Sequence, residues 1–85
     1  MNQAIQFPDR EEWSERHHAI CFPATVNGFQ RTCAISGESV ANCYGGDGRQ
    51  DWLVLFRAHR WDLEEEVQVL ILNEREDDQG WYWLS

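Results

Sequence analysis

Residues 51–73 read DWLVLFRAHRWDLEEEVQVLILN, and how this stretch folds decides how the rest of the chain packs. Trp52, Leu53, Leu55, Phe56 and His59 fall at i, i+1, i+3, i+4 and i+7, which is the apolar face of a helix. His59 closes that face as a packing residue or as a partner of the helix C-terminal dipole. Asp62 then restarts helix, with Glu65 three residues on completing a capping-box pattern. Glu64, Glu65 and Glu66 sit in the first turn, where the helix dipole favours negative charge. Val67, Val69 and Ile71 also alternate as a strand would, but the cap at Asp62 predicts helix through Asn73. In that helix Leu63, Val67, Leu70 and Ile71 form one inward stripe, and Val69 and Leu72 land on the opposite side with Glu65.

Upstream the sequence reads as sheet. Asn27-Gly28 lies between two apolar runs, the strongest short hairpin signal, because a type I′ turn takes φ > 0 at both central residues. A two-residue loop pairs Val26 with Phe29 and carries the register back to Ile20 opposite Ile35. One face then holds Ile20, Phe22, Ala24, Val26, Phe29, Cys33 and Ile35, and the other holds smaller and more polar residues. That pattern marks an antiparallel sheet covered on one side. Pro23 places its strand at an edge or a bulge. Ala4–Pro8 reads as a short strand, and Arg10–Arg16 as a helical turn or loop whose Trp13 plugs an edge of the core. After the hairpin, Ser36 is an N-cap for a helix from Gly37 to about Tyr44, and Gly45-Gly46-Asp47-Gly48 is a connector. It lacks the GKS or GKT of a phosphate loop. At the C-terminus Gly80 ends a charged turn, and Trp81–Leu84 (WYWL) forms a last strand with Trp81 and Trp83 on one face, Tyr82 and Leu84 on the other.

These elements predict an α+β fold in a single domain spanning residues 1–85. A three- or four-stranded, mostly antiparallel sheet is built from the N-terminal strand, the Asn27-Gly28 hairpin and WYWL, with about three helices on one face. A chain of 85 residues has a thin core, which its five Trp help to fill.

Composition narrows the function classes. The formal net charge is −8, and all seven basic residues are Arg, scattered along the chain. Nucleic-acid binding needs a basic footprint that this chain lacks. Cys21, Cys33 and Cys43 are an odd count without a CxxC pair, and the hairpin register sends Cys21 and Cys33 to opposite faces. His17-His18 likewise point apart on a strand, so neither a disulfide framework nor a metal site is expected. MNQAIQFPDREEW does not resemble a secretory leader, and no run reaches the length of a membrane span. A cytoplasmic setting without cofactors is the expectation.

The segments AIQFPDREEW, TCAISGES, FRAHRWDLEEE and DDQGWYWL together resemble the YrdB-like small proteins, the family of domain of unknown function 1488, found mainly in proteobacteria. The likeness spans nearly the whole chain. It implies a compact α+β fold, a bacterial intracellular protein and helix for Asp62–Asn73, and it implies no activity or site residues.

Two function classes remain. The first is a non-catalytic interaction module, docking a protein partner or a second copy through Glu65, Val69, Leu72, Tyr82 and Leu84. The alternative is a binder of an anionic or aromatic small molecule, using Arg57, Arg60 and Trp61. No nucleophile, base and orienting group stand at usable spacing, so no catalytic residue is assigned.

Overall fold

The computed structural model describes residues 4–84. Its elements run in the order β1 (Ile5–Gln6), β2 (Glu12–Ser14), β3 (Ala19–Val26), β4 (Phe29–Ser36), α1 (Gly37–Tyr44), α2 (Arg49–Ala58), α3 (Arg60–Leu72) and β5 (Tyr82–Leu84). The result is an α+β fold, a mixed five-stranded sheet with three helices.

The β3–β4 hairpin forms the centre of the sheet. Asn27 and Gly28 both take positive φ, 53° and 87°, as the type I′ turn requires. The pairing then runs in the predicted register from Val26↔Phe29 to Ala19↔Ser36. In such a hairpin the residues flanking the turn bond to each other, so Thr25, Pro23 and Cys21 turn their backbone groups toward the other neighbour. That neighbour is split. β1 pairs at Val26 and Thr25, and β2 pairs at Cys21, Ile20 and Ala19. Pro23, with no N–H to donate, falls in the gap between them.

β2 corrects the reading of residues 10–16 as a helical turn or loop. Glu12–Ser14 is too short and too polar to announce itself as a strand, and it forms because the edge of β3 beyond Pro23 is free to bond. Trp13, opposite Ile20, packs on the helix side of the sheet against the core, 5.6 Å from Trp52. The last strand is the parallel exception in the mostly antiparallel sheet expected from the sequence. β5 joins β4 in parallel, Cys33↔Tyr82 through Ile35↔Leu84, so one of the four pairings departs from the antiparallel pattern.

The core lies on one face of the sheet. Ile20, Phe22, Ala24, Cys33 and Ile35 meet Val40 of α1, Phe56 of α2, and Leu63, Val67 and Ile71 of α3, with Phe22 and Phe56 4.9 Å apart. Ser36 caps α1 as expected, its hydroxyl accepting from the Ser39 N–H at 3.0 Å. Gly46, at φ 90°, lets the connector pass against Leu55, whose methyl would lie 2.7 Å from any β-carbon placed there.

α3 begins at Arg60, two residues before the expected cap at Asp62. His59 alone separates it from α2, and no side chain caps it. Asp62 instead sits in the first turn, where its charge complements the helix dipole.

Candidate functional site

α3 is built to bury one face and nevertheless presents apolar side chains on both. Leu63, Val67 and Ile71 recur at i, i+4 and i+8 and are buried. Trp61, Glu65, Val69 and Leu72, at i, i+4, i+8 and i+11, share the opposite face. Trp61 is 84% exposed, Val69 56% and Leu72 55%. The helical wheel therefore placed Glu65, Val69 and Leu72 outward, as they are found. Trp61, read from sequence as part of a ligand site, belongs to this same stripe. Asp62, Glu65 and Glu66, all exposed, flank it with negative charge.

Among the described residues, grooves border the helix on two sides. One, of about 320 Å³, is lined by Glu66, Val69, Leu70, Trp83 and Leu84 and separates α3 from β5. The other, of about 270 Å³, is lined by Ile5, Phe7, Trp61, Glu64, Glu65 and Gln68 and separates α3 from β1.

Tyr82 and Leu84 are not on the outward stripe, and Leu84 reaches only the wall of the groove beside β5. They stand beside Cys33 and Ile35 in the ladder, on the helix side of the sheet, and are 5% and 6% exposed. WYWL is apolar on both faces, so alternation could not say which pair turns inward. The outward pair is Trp81 and Trp83, stacked 6.0 Å apart, with the His17 ring 4.7 Å from Trp81. Trp83 lies beside Ala34 in the ladder, and Ser14, bonded to His17 at 3.1 Å, lies beside Ala19. These groups line the side of the sheet that carries no helix, where both alanines are fully buried. Asp77 fixes the turn before β5 by accepting from the Trp81 and Gln79 N–H groups and from Trp83 Nε1. The Trp81 N–H in the first place holds its carboxyl below the usual carboxylate range.

Arg57 and Arg60, the cationic part of the ligand alternative, converge on one internal carboxylate. Arg57 donates through Nε to Glu11 Oε2 at 2.6 Å, and Arg60 Nη2 donates to Glu11 Oε1. Arg60 also stands 3.5 Å from Asp9 and 3.6 Å from Glu64, with its guanidinium 5.2 Å from the centre of the Phe56 ring. Burial would raise the Glu11 pKa, but the bonds from Arg57 and Arg60 outweigh it and lower the carboxyl to about 2. The pair thus ties the segment before β2 to the α2–α3 junction. Nothing in the local sequence of either segment announces that link. Trp61, next in the chain, points away from it into solvent.

The remaining sequence candidates have structural places. The His59 ring stacks on Tyr44 at 3.8 Å with a 6° interplanar angle. Cys33 is buried in the core, Cys21 is half-buried on the other face, and Cys43 is exposed on α1. Among the described residues no three His, Cys, Asp or Glu side chains converge as a metal would need, and no helix is long and apolar enough to cross a membrane.

Known proteins share this architecture. The proteins called "Uncharacterized protein YrdB" from Escherichia coli (strain K12) and from Shigella flexneri are each 66% identical over 84 residues, covering 99% of both chains. A crystal structure of a protein of unknown function from Shewanella loihica PV-4 superposes with a TM-score of 0.92 at 30% identity, covering 99% of this chain and 94% of that one. The family described as "Protein of unknown function (DUF1488)" matches residues 5–84. With β1 through β5 all inside that match, the chain belongs to the DUF1488 family.

Proposed function

We propose that this protein is a non-catalytic interaction module of the bacterial cytoplasm, docking a protein partner on the outward face of α3. One observation carries the reading: α3 is apolar on both faces, and its outward stripe of Trp61, Val69 and Leu72 lies open to water. Covering Trp61 alone would remove on the order of 150 Å² from water, about 4 kcal/mol before the costs of association. The acids around the stripe favour a partner whose contact surface is apolar at its centre and basic at its rim. A cytoplasmic setting suits three unpaired thiols. The ligand alternative has less support, because both guanidinium groups that would hold an anion are engaged by Glu11.

Affinity capture with the full chain tests the reading when wild type is compared with Leu72→Asp and with Val54→Asp, an exposed α2 control. A partner retained by wild type and Val54→Asp and lost by Leu72→Asp supports docking on α3. A partner retained equally by all three, or none at low or high salt, contradicts it.

A further inference from the structure

The helix layer leaves part of its own sheet uncovered. β3 and β4 each run eight residues, roughly 26 Å at about 3.3 Å per residue. Their ends away from the turn are buried under the helices, whereas Phe29, on the same face at the turn, is 72% exposed. Val26, its partner across the hairpin, is half-buried, and so is Ile5, the next residue in that row. Ile5, Val26 and Phe29 therefore form an apolar strip across three strands. The strip ends at the groove where Ile5 and Phe7 meet Trp61, Glu64, Glu65 and Gln68 of α3. The sheet forms the floor of this step, the first three turns of α3 form a wall, and the exposed carboxylate of Glu65 lies along the rim beside Glu64, which is paired with Arg60.

The shape and the charge each select an occupant. A sheet face beside a packed helix is completed by another helix in the same layer. Beside β1 an added strand has little to bind, because β1 offers a two-residue edge and Pro8 just beyond it has no N–H. A second copy is disfavoured by charge. A second copy would bring another chain of net charge −8 against this acidic rim. Arg60, the one basic residue at the start of this wall, is already paired with Glu11, Asp9 and Glu64.

We infer that the step between α3 and the β1 side of the hairpin receives one amphipathic α-helix of a partner protein. The helix seats its apolar stripe on Ile5, Phe7, Phe29 and Trp61 and carries Lys or Arg along its flanks. This names the partner class for the docking reading above and rests on it. Helix-in-groove recognition of this kind uses anchors at i, i+3 or i+4 and i+7.

The test is selection of a displayed random-peptide library against the immobilised full-length protein, followed by mapping of the enriched peptides on the amide resonances of the labelled chain. Enriched peptides are expected to be helical on binding, to repeat apolar residues at i, i+3 or i+4 and i+7, and to be basic between them. Their footprint is expected on Ile5, Phe7, Phe29 and Trp61. Trp61→Ala should weaken them on the order of tenfold or more, and Glu65→Lys should weaken them as well, with added salt weakening the wild-type complex. Enriched peptides that bind as extended strands or lack basic residues would overturn the inference, as would failure of any sequence to enrich. A concentration-dependent dimer that shields Trp61 would overturn it in favour of a second copy. A footprint confined to Val69, Leu72 and Trp83 would reject this groove and leave docking on α3 standing. Docking itself fails when capture by the full chain is indifferent to Leu72→Asp or recovers no partner.

Discussion

Arg60, in the first turn of α3, donates to Glu11, the residue before β2, across 49 positions of sequence. Arg57 completes the clamp from the last turn of α2. Removing the carboxylate should free both guanidinium groups and loosen the edge of the sheet from the helix layer. Glu11→Gln is expected to cost about 1–2 kcal/mol at neutral pH, discounted because the half-exposed head of Arg57 is screened by water. Chemical denaturation of the two proteins measures it.

The same carboxyl sets an acid limit. Its folded pKa of about 2 lies below the ordinary 4.5, so the clamp's contribution is complete above about pH 4.5 and is lost as pH falls toward 2. Wild type should lose stability through that window more steeply than Glu11→Gln. Parallel melting curves from pH 5 to pH 2 would contradict this.

Gly37 opens α1 directly beneath Trp52. A β-carbon there would lie 2.5 Å from the indole and 3.1 Å from Trp13. Gly37→Ala should therefore push apart the Trp13–Trp52 pair and destabilise the fold by about 1–3 kcal/mol, despite alanine's better helix propensity. A thermal melt, with tryptophan fluorescence as the probe, reads the effect.

Inside and outside residues of the two apolar elements should separate cleanly. Leu84→Ala removes a buried side chain of β5 and should cost about 2–4 kcal/mol. Leu72→Asp changes a residue that faces solvent and should stay within about 0.5 kcal/mol of wild type. Unfolding of Leu72→Asp would mean that Leu72 belongs to the core.

Thiol chemistry offers an independent check on the sheet faces. Burial pushes the Cys33 thiol up to about 12 and also raises Cys21, whereas Cys43 is exposed. A thiol reagent at neutral pH should label Cys43 first, Cys21 slowly and Cys33 only on unfolding. Mass spectrometry of the labelled peptides distinguishes the three.

The parts of this fold that were legible in sequence are those fixed by local chemistry. Asn27-Gly28 dictates its turn, and every pair from Val26↔Phe29 to Ile20↔Ile35 follows from it. Ser36 announces α1, and the 3.6-residue period of α3 separates Val67 from Val69. What stayed hidden depends on distant partners. Glu12–Ser14 becomes a strand only because β3 offers an edge. The direction of β5 follows from where α3 delivers the chain, not from WYWL itself. Tyr82 and Leu84 turn inward for the same reason, leaving Trp81 and Trp83 outside. The helix cap at Asp62 was misplaced because α2 and α3 share His59 as their junction, with no capping side chain to mark it. At the candidate site the wheel found Glu65, Val69 and Leu72, but Arg57 and Arg60 looked available because Glu11 lies so far away in sequence.

The most direct measurement of the docking claim is site-specific photocrosslinking in living cells, with a photoreactive amino acid placed at Trp61 and, as a control, at Val54. Both sites are exposed, so neither substitution should disturb the fold. Docking on α3 predicts a single prominent adduct from position 61, absent from position 54 and lost when Leu72→Asp is added. No adduct at position 61, or the same adducts from both positions, would contradict it.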